Sequence, residues 1–495
     1  MLNEMWKMTA CEAVDELKNG NVSPLELIDV AENRINSVDK TLNALPTTCF
    51  DRARKKANSL IKGYPNGKYP RGFLHGLPIA IKDLMKVAGV RCTMGSKLYK
   101  DYIPEVSDVL VERLEEAGAI IIGKSNTPEF GAGANTFNEV FGATRNPWNL
   151  GMTCGGSSGG AAVALSTGQV WLAHGSDLGG SLRTPASFCG VTGLRPSPGR
   201  VPHSPSKFPF GTLFVDGPMA RNAQDVGLFL DAMSGHEPSD PLSYSSPQSS
   251  YRDAAEQRML PKRIAYSPDL GFAPVDSEVS SICKNIINVM KNGGAKVDIV
   301  TPDLSGAMET FHILRAAQFA NEKGHLLDEF PGQLKPELVW NIEKGLNLTT
   351  EEINNAEILR GEIYQRFVSF FKDYDLLVCP AAIVPPFDIN NRYLEKSGNK
   401  FQNLLDMKNA LLCYNRIIEI YKDQNINKNE TLYLAQSQLG KIYGFLGKTD
   451  KSISLFTSLI DNKDKISKTI LSKIYLYLGD VYENKRENNL SLENY

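Results

Sequence analysis

The feature that most constrains this chain is a stretch between residues 131 and 220 that is rich in glycine and in apolar side chains at once. It contains GAGANTFNEVFGATRNPWN, CGGSSGGAAVAL and GSDLGGSLRTPASFCGVTGLRPSPGR. A flexible linker would lack the Ala, Val, Leu, Ile and aromatic residues that run through these segments. Glycine in such company points to a packed core whose backbone passes close to itself or to a ligand. The flanking sequence has α/β texture: LPIAI (77–81) and GAIII (118–122) read as buried strands, the second following the helical VLVERLEEAG. A helix is expected over 8–18. Ser23-Pro24-Leu25-Glu26 then supplies an N-cap, a first-turn proline and a capping-box glutamate for a second helix with Leu27, Ile28, Ala31 and Ile35 on one face. Beyond a Pro/Ser-rich connection at 236–258, KRIAYS (262–267), AKVDIV (295–300) and DYDLLVCP (373–380) are strand candidates, with a helix at 278–291.

The 495 residues, 42% hydrophobic and 22% charged, are enough to bury a large core and exclude wholesale disorder. Lys+Arg 54 against Asp+Glu 56 leaves a net charge of -2, with no basic excess for a nucleic-acid backbone. The eight cysteines form no CxxC pair and the six histidines no HExxH, so neither a disulfide framework nor a metal or cofactor site is expected. No uncharged apolar run is long enough for a membrane span, and residues 1–20 lack the apolar centre of a signal peptide. The expectation is a reduced, cytoplasmic protein.

In CGGSSGG (154–160) four glycines surround two serines and lead into the helical AAVALSTG. No GK[ST] follows, which excludes a phosphate loop, and GxGxxG is absent, which excludes the dinucleotide fingerprint. A tight backbone loop placing Ser157 fits better. GSDLGGS (175–181) ends on Ser181 after three close glycines, which let backbone N–H groups converge on one point, as an oxyanion hole requires. GxSxG is missing, so this is no nucleophile elbow. The nearest histidines, His75 and His174, read as structural. A different base is available, because Lys82 ends the apolar run LPIAIK, and burial there lowers an amine's pKa into the range of a proton acceptor. Lys86 reads as solvated, Cys189 as core, and Cys154 is not read as a nucleophile.

These segments together resemble the amidase signature family, serine hydrolases that cleave carboxamides with a Ser–cisSer–Lys triad. The resemblance rests on GLPIAIKD (76–83), GKSNTPEF (123–130), TRNPWN (144–149), GGSSGGAAVAL (155–165), GSDLGGSLRTPASFCGVTGLRPSPGRVP (175–202) and DGPMARNAQDVGLFLDAMSG (216–235). Lys82, Ser157 and Ser181 keep the family's spacings of 75 and 24 residues. The resemblance implies that Ser181 is acylated and that Ser157, after a cis Gly156–Ser157 bond, shuttles a proton between Ser181 and neutral Lys82. It further implies backbone oxyanion donors at Leu178, Gly179, Gly180 and Ser181, with Gly156, Asp177 and Arg183 bracing the loops. The implied fold is α/β, a mixed central sheet covered by helices. The implied substrate is an amide of modest size, since NTPEFG with TRNPWN is more similar to the branch of general amidases, aryl acylamidases and aminohexanoate cyclic dimer hydrolases than to the tRNA amidotransferase subunit.

The resemblance is dense from about residue 8 to 235, thinner to about 387, and then stops. The family's last strands, with their N-x-x-G-L-P and GLPxGxQ segments, find no match here, so the sheet is expected to be incomplete at its C-terminal side. Residues 1–400 therefore read as the catalytic domain and 401–495 as a separate helical tail. All 27 prolines lie at or before Pro386, and in the tail Leu439-Gly440-x-x-Tyr443 recurs as Leu478-Gly479-x-x-Tyr482, with an earlier helix at 410–422. The pattern resembles tetratricopeptide repeats, and non-repeat helical packing is the alternative. A protein partner or self-association through the tail is expected of the first. Two readings of the whole stand at this point: an active amidase, or an impaired amidase-derived fusion whose tail is the working interaction module.

Overall fold

The computed structural model describes residues 2–60, 69–257, 259, 261–392, 430–445 and 449–484. The chain divides into two compact units, residues 1–394 and 395–495. The domain boundary expected at residue 400 and the helix expected at 410–422 lie outside the described residues.

The first unit is built on a six-stranded sheet. Its strands are β1 (Thr47–Thr48), β2 (Pro78–Lys82), β3 (Ile120–Ser125), β6 (Leu172–Asp177), β7 (Thr192–Gly193) and β8 (Val215–Ala220), and a separate two-stranded ribbon holds β4 (Phe137–Asn138) and β5 (Gly142–Ala143). The order is β1-β3-β2-β6-β8-β7. The central β3, β2 and β6 are parallel, and β1, β8 and β7 are antiparallel to their neighbours. Each residue of β2, β3, β6 and β8 is buried, the pattern of strands covered on both faces. The parallel strands bring their carboxyl ends, Lys82, Ser125 and Asp177, to one edge. β8 runs the other way and sets Asp216 opposite Ser176 at that edge. Open α/β sheets commonly bind ligands there.

The helices follow from their caps and patterns. Thr9 with Glu12, and Ser23 with Glu26, form capping boxes that start the helices Ala10–Asn19 and Pro24–Leu42. The helix Gly159–Ser166 (GGAAVALS) is apolar all round, and Gly159 to Leu165 are all buried against the sheet. Its glycines are required by proximity: a Cβ on Gly160 would sit 2.3 Å from the backbone nitrogen of Asn126, and one on Gly159 2.3 Å from Thr136 Oγ1. At the carboxyl ends of β2 and β3 lies a buried ion pair, Lys124 Nζ to Asp83 Oδ1 at 3.0 Å, both fully enclosed. Asp83 also accepts from the backbone and hydroxyl of Thr93, at 3.1 and 2.6 Å.

β9 (Arg263–Tyr266), β10 (Lys296–Ile299) and β11 (Leu376–Val378) form a separate parallel sheet in the order β10-β9-β11. Among the described residues no strand joins it to the six-stranded sheet. The strands expected at 262–267, 295–300 and 373–380 are thus present, and they form a sheet of their own beside the mixed central one. Apolar surface accompanies the break: Ile299 is 72% exposed and Val289 65%, and Leu376, Ile282 and Ile286 are also open. In the helix Thr350–Phe370 only Ala356 is buried.

In the second unit the helices Glu430–Phe445, Thr449–Ile460 and Lys468–Asn484 pack around Phe456, Leu459, Ile470 and Ile474. Gly440 lies where a Cβ would be 2.7 Å from the Phe456 ring, and Ser452 Oγ donates to its carbonyl at 2.7 Å. No helix among the described residues is long and apolar enough to cross a membrane.

The Asp83–Lys124 pair yields a stability prediction. Asp83→Asn leaves a buried ammonium without its counter-charge and should cost about 3–5 kcal/mol in denaturant unfolding, whereas Asp83→Asn with Lys124→Met should cost less than the single change. A single variant as stable as the native chain would contradict the role given to the pair.

Candidate active site

Burial decides the chemistry at the end of β2. Lys82 is wholly enclosed, and its Nζ lies 2.7 Å from Ser157 Oγ, 2.9 Å from Ser158 Oγ and 2.9 Å from Ser176 Oγ. Among the described residues no carboxylate touches it. Burial pushes its pKa down to about 7, opposed by the charges of Asp216 and Asp177. As an ammonium it donates to all three hydroxyls. As a neutral amine it keeps two donations and can accept from the third hydroxyl, and its shortest contact is the one to Ser157.

The Gly156–Ser157 peptide bond is cis. A Cβ on Gly156 would lie 2.9 Å from the backbone of Asn135, so only glycine fits there. Ser157 is buried, and a Cβ on Gly131 would lie 3.5 Å from its hydroxyl, which makes the 129–133 loop the wall beside it. Lys335, brought from far along the chain, bonds the carbonyl of Ala132, and its backbone N–H donates to Glu129 at 3.0 Å. The loop ahead of the serines is pinned by the end of the first unit: Thr153 N–H donates to the Phe387 carbonyl at 2.8 Å, Ile389 N–H to the Gly151 carbonyl at 2.9 Å, and Asn135 Nδ2 to the Arg392 carbonyl at 2.7 Å.

Ser181 comes to the same place from β6. Ser158 N–H donates to the Ser181 carbonyl at 3.3 Å, and Ser181 itself is half-buried, within reach of solvent. No hydrogen bond joins the Ser157 and Ser181 hydroxyls among the described residues. Catalytic hydrogen bonds are often loose before substrate enters. The four expected oxyanion amides divide. Gly180 N–H donates to Asp177 Oδ1 at 2.8 Å, so it is already engaged, while those of Leu178, Gly179 and Ser181 meet no acceptor among the described residues. Gly180 has φ +117, a conformation that suits glycine. Asp177 braces this loop from below. Leu182 N–H donates to it at 3.1 Å, Arg183 grips both oxygens at 3.0 Å, and Arg195 lies 3.2 Å away. Burial would raise the Asp177 carboxyl, but the Arg183 hydrogen bond and charge outweigh it and hold it below its ordinary value.

Lys82, Ser157 and Ser181 are thus brought together, with Gly156, Asp177 and Arg183 around them. Cys154 and Cys189 are buried, and burial pushes the Cys154 thiol up to about 12. Several residues escaped the sequence. Ser158 and Ser176 stand inside segments already singled out, but nothing in sequence says that their hydroxyls face Lys82. His174, expected to be structural, bonds Asp216 and the backbone of Lys82. Phe311, on the helix Ala307–Lys323, covers the glycine loop, 3.0 Å from where a Gly179 Cβ would be, and no local pattern marks it.

A buried amine ringed by hydroxyls, next to an accessible serine with unengaged backbone amides, is a site where a hydroxyl can attack a carbonyl. Comparison with known proteins agrees. Residues 26–417 match the family model described as Amidase, and the chain belongs to that family: it is a hydrolase acting on amides. It is 34% identical over 385 residues to the acylamidase of Rhodococcus erythropolis, covering 77% of this chain and 80% of that one. It is 31% identical over 420 residues to a glutamyl-tRNA(Gln) amidotransferase subunit of Moorella thermoacetica, covering 80% of this chain and 85% of that one. Among solved structures, a bacterial aryl acylamidase of the amidase signature enzymes superposes with a TM-score of 0.71 at 28% identity, covering 77% of this chain and 81% of that one. The first unit is an amidase-signature α/β fold.

The thiols test the assignment of the nucleophile. Iodoacetamide at about pH 8 should leave Cys154 unmodified in the native protein and label it after denaturation, as a buried thiol of raised pKa requires. Rapid native labelling of Cys154 would contradict it.

Proposed function

We propose that this chain hydrolyses a carboxylic acid amide of modest size, aliphatic or aryl, through an acyl-enzyme on Ser181. The carrying observation is the fully enclosed Lys82 amine, 2.7 Å from the Ser157 hydroxyl and touched by no carboxylate among the described residues. Neutral Lys82 accepts the Ser157 proton as Ser157 takes that of Ser181. The Ser181 Oγ–carbon bond forms, and the oxyanion is received by the amides of Leu178, Gly179 and Ser181. The C–N bond then breaks, and the proton held by Lys82 returns through Ser157 to the departing ammonia or amine. Water repeats the sequence on the ester and releases the carboxylate and Ser181. No cofactor or metal takes part in these steps. Similarity to the Rhodococcus acylamidase favours this activity over amide transfer within a larger assembly.

The seven described cysteines are free thiols, which fits a reduced, cytoplasmic setting. For the tail we infer a tetratricopeptide-like unit that holds a peptide or a second copy. The close approach of Gly440 to Phe456, at the first Leu-Gly-x-x-Tyr segment, supports that reading.

Ser181→Ala should lower amide hydrolysis by about 10³-fold or more and abolish stoichiometric labelling by a fluorophosphonate probe. A protein that folds but never labels would overturn the proposal. Because the base must be neutral, kcat/KM should rise with pH through about 7 and fall below it. A rate independent of pH between about 5.5 and 8 would contradict Lys82 as the base.

A further inference from the structure

Behind Lys82 lies a chain of charged and ring groups that the triad does not use. The backbone N–H of Lys82 faces His174 Nδ1 at 3.4 Å. That donor makes Nδ1 the acceptor and leaves the imidazole proton on Nε2, which bonds Asp216 Oδ1 at 2.9 Å. The other oxygen of Asp216 meets His203 Nδ1 at 2.7 Å. Asp216 and His174 are buried, while the His203 ring is partly open, packs at a tilt against Phe214, and lines a cavity of about 30 Å³, room for a single water. His174 and Asp216 are held by β6 and β8, so the chain runs across the sheet from the base toward solvent.

Resting on the reading of Lys82 as base, we propose that Asp216, clamped between His174 and His203, is a positioning group for the reaction. It anchors the strand end that carries Lys82 and supplies the counter-charge for the ammonium formed when Lys82 takes the Ser157 proton. His203 is its solvent-side partner and tunes that charge. The full set of charges acting here is small. Lys82 feels Asp216 and Asp177, and Asp177 is already neutralised by Arg183 and Arg195. His203 faces Asp216 on β8, Glu322 on the helix Ala307–Lys323 and Asp108 ahead of the helix Val109–Glu116, while Asp240 accepts its backbone N–H. Burial would lower the His203 pKa, but the charge of Asp216 outweighs it and raises it. With His203 neutral, Asp216 carries a full charge toward Lys82. When His203 is protonated the charge is cancelled, so the two single changes have opposite signs.

The test is the pH dependence of fluorophosphonate labelling at Ser181 in the full chain, for the native protein, Asp216→Asn and His203→Gln. Asp216→Asn removes the charge that favours the ammonium. Its rate at about pH 6, relative to its own high-pH plateau, should rise roughly threefold, while the plateau falls because the base is weaker. His203→Gln leaves Asp216 uncancelled at low pH, and the same ratio should fall roughly threefold. Labelling with unshifted profiles in both variants overturns the role given to Asp216 and leaves the hydrolase reading intact. A native protein that never labels overturns the hydrolase reading, and the coupling is then read without activity, from the His203 ring titration by NMR. Lys82→Met should raise its midpoint, because coupling between two sites is reciprocal. An unchanged midpoint overturns the coupling of Asp216 and His203 to Lys82. If Asp216→Asn fails to fold, the partly open His203 and the Lys82 variant carry the test alone.

Discussion

The site depends on one physical condition: an amine is held in a place where its charge is disfavoured and its hydrogen-bonding needs are still met. Lys82 has no exposed surface, and three serine hydroxyls sit at 2.7 to 2.9 Å. A carboxylate in contact would fix the proton permanently, as Asp83 favours it on the equally buried Lys124, whose pKa is raised despite burial. Two lysines enclosed at the ends of neighbouring parallel strands therefore behave oppositely. The difference is one touching carboxylate.

Geometry around this amine comes from close backbone packing. The parallel β2 and β6 end together, so Lys82 and the Asp177–Ser181 loop share an edge. The loop carrying Ser157 can lie against them because Gly156, Gly159 and Gly160 leave no room for a side chain. Its far side is held by residues 387–392, which bond Gly151, Thr153 and Asn135. The late segment after β11 is thus part of the site's support. This explains how the Ser157 loop remains braced although the sheet of β9, β10 and β11 stands apart from the main one with apolar residues open beside it.

Much of this was legible in the residues. LPIAIK announced a buried strand ending in lysine, GAIII a second buried strand behind a helix, and Ser23 with Glu26 a capped helix. Ser157 and Ser181 were marked by glycines whose only sensible use is close approach. Long-range pairing was not legible. The partners His174, Asp216 and His203 come from β6, β8 and a loop, and each alone is an ordinary polar residue. Phe311 reaches the glycine loop from a helix more than a hundred residues on, where its neighbours suggest only packing. Sequence likewise counts four amides after Asp177 as equivalent, and only the fold shows that Gly180 already donates to that carboxylate.

The most direct measurement of the central claim is the titration of the Lys82 side chain itself, followed by ¹³C NMR at Cε and assigned by loss of the signal in Lys82→Met. A midpoint near 7, far below the ordinary lysine value of about 10.4, is the result this account requires. A midpoint in the ordinary range would mean that the amine stays charged at neutral pH and cannot be the base.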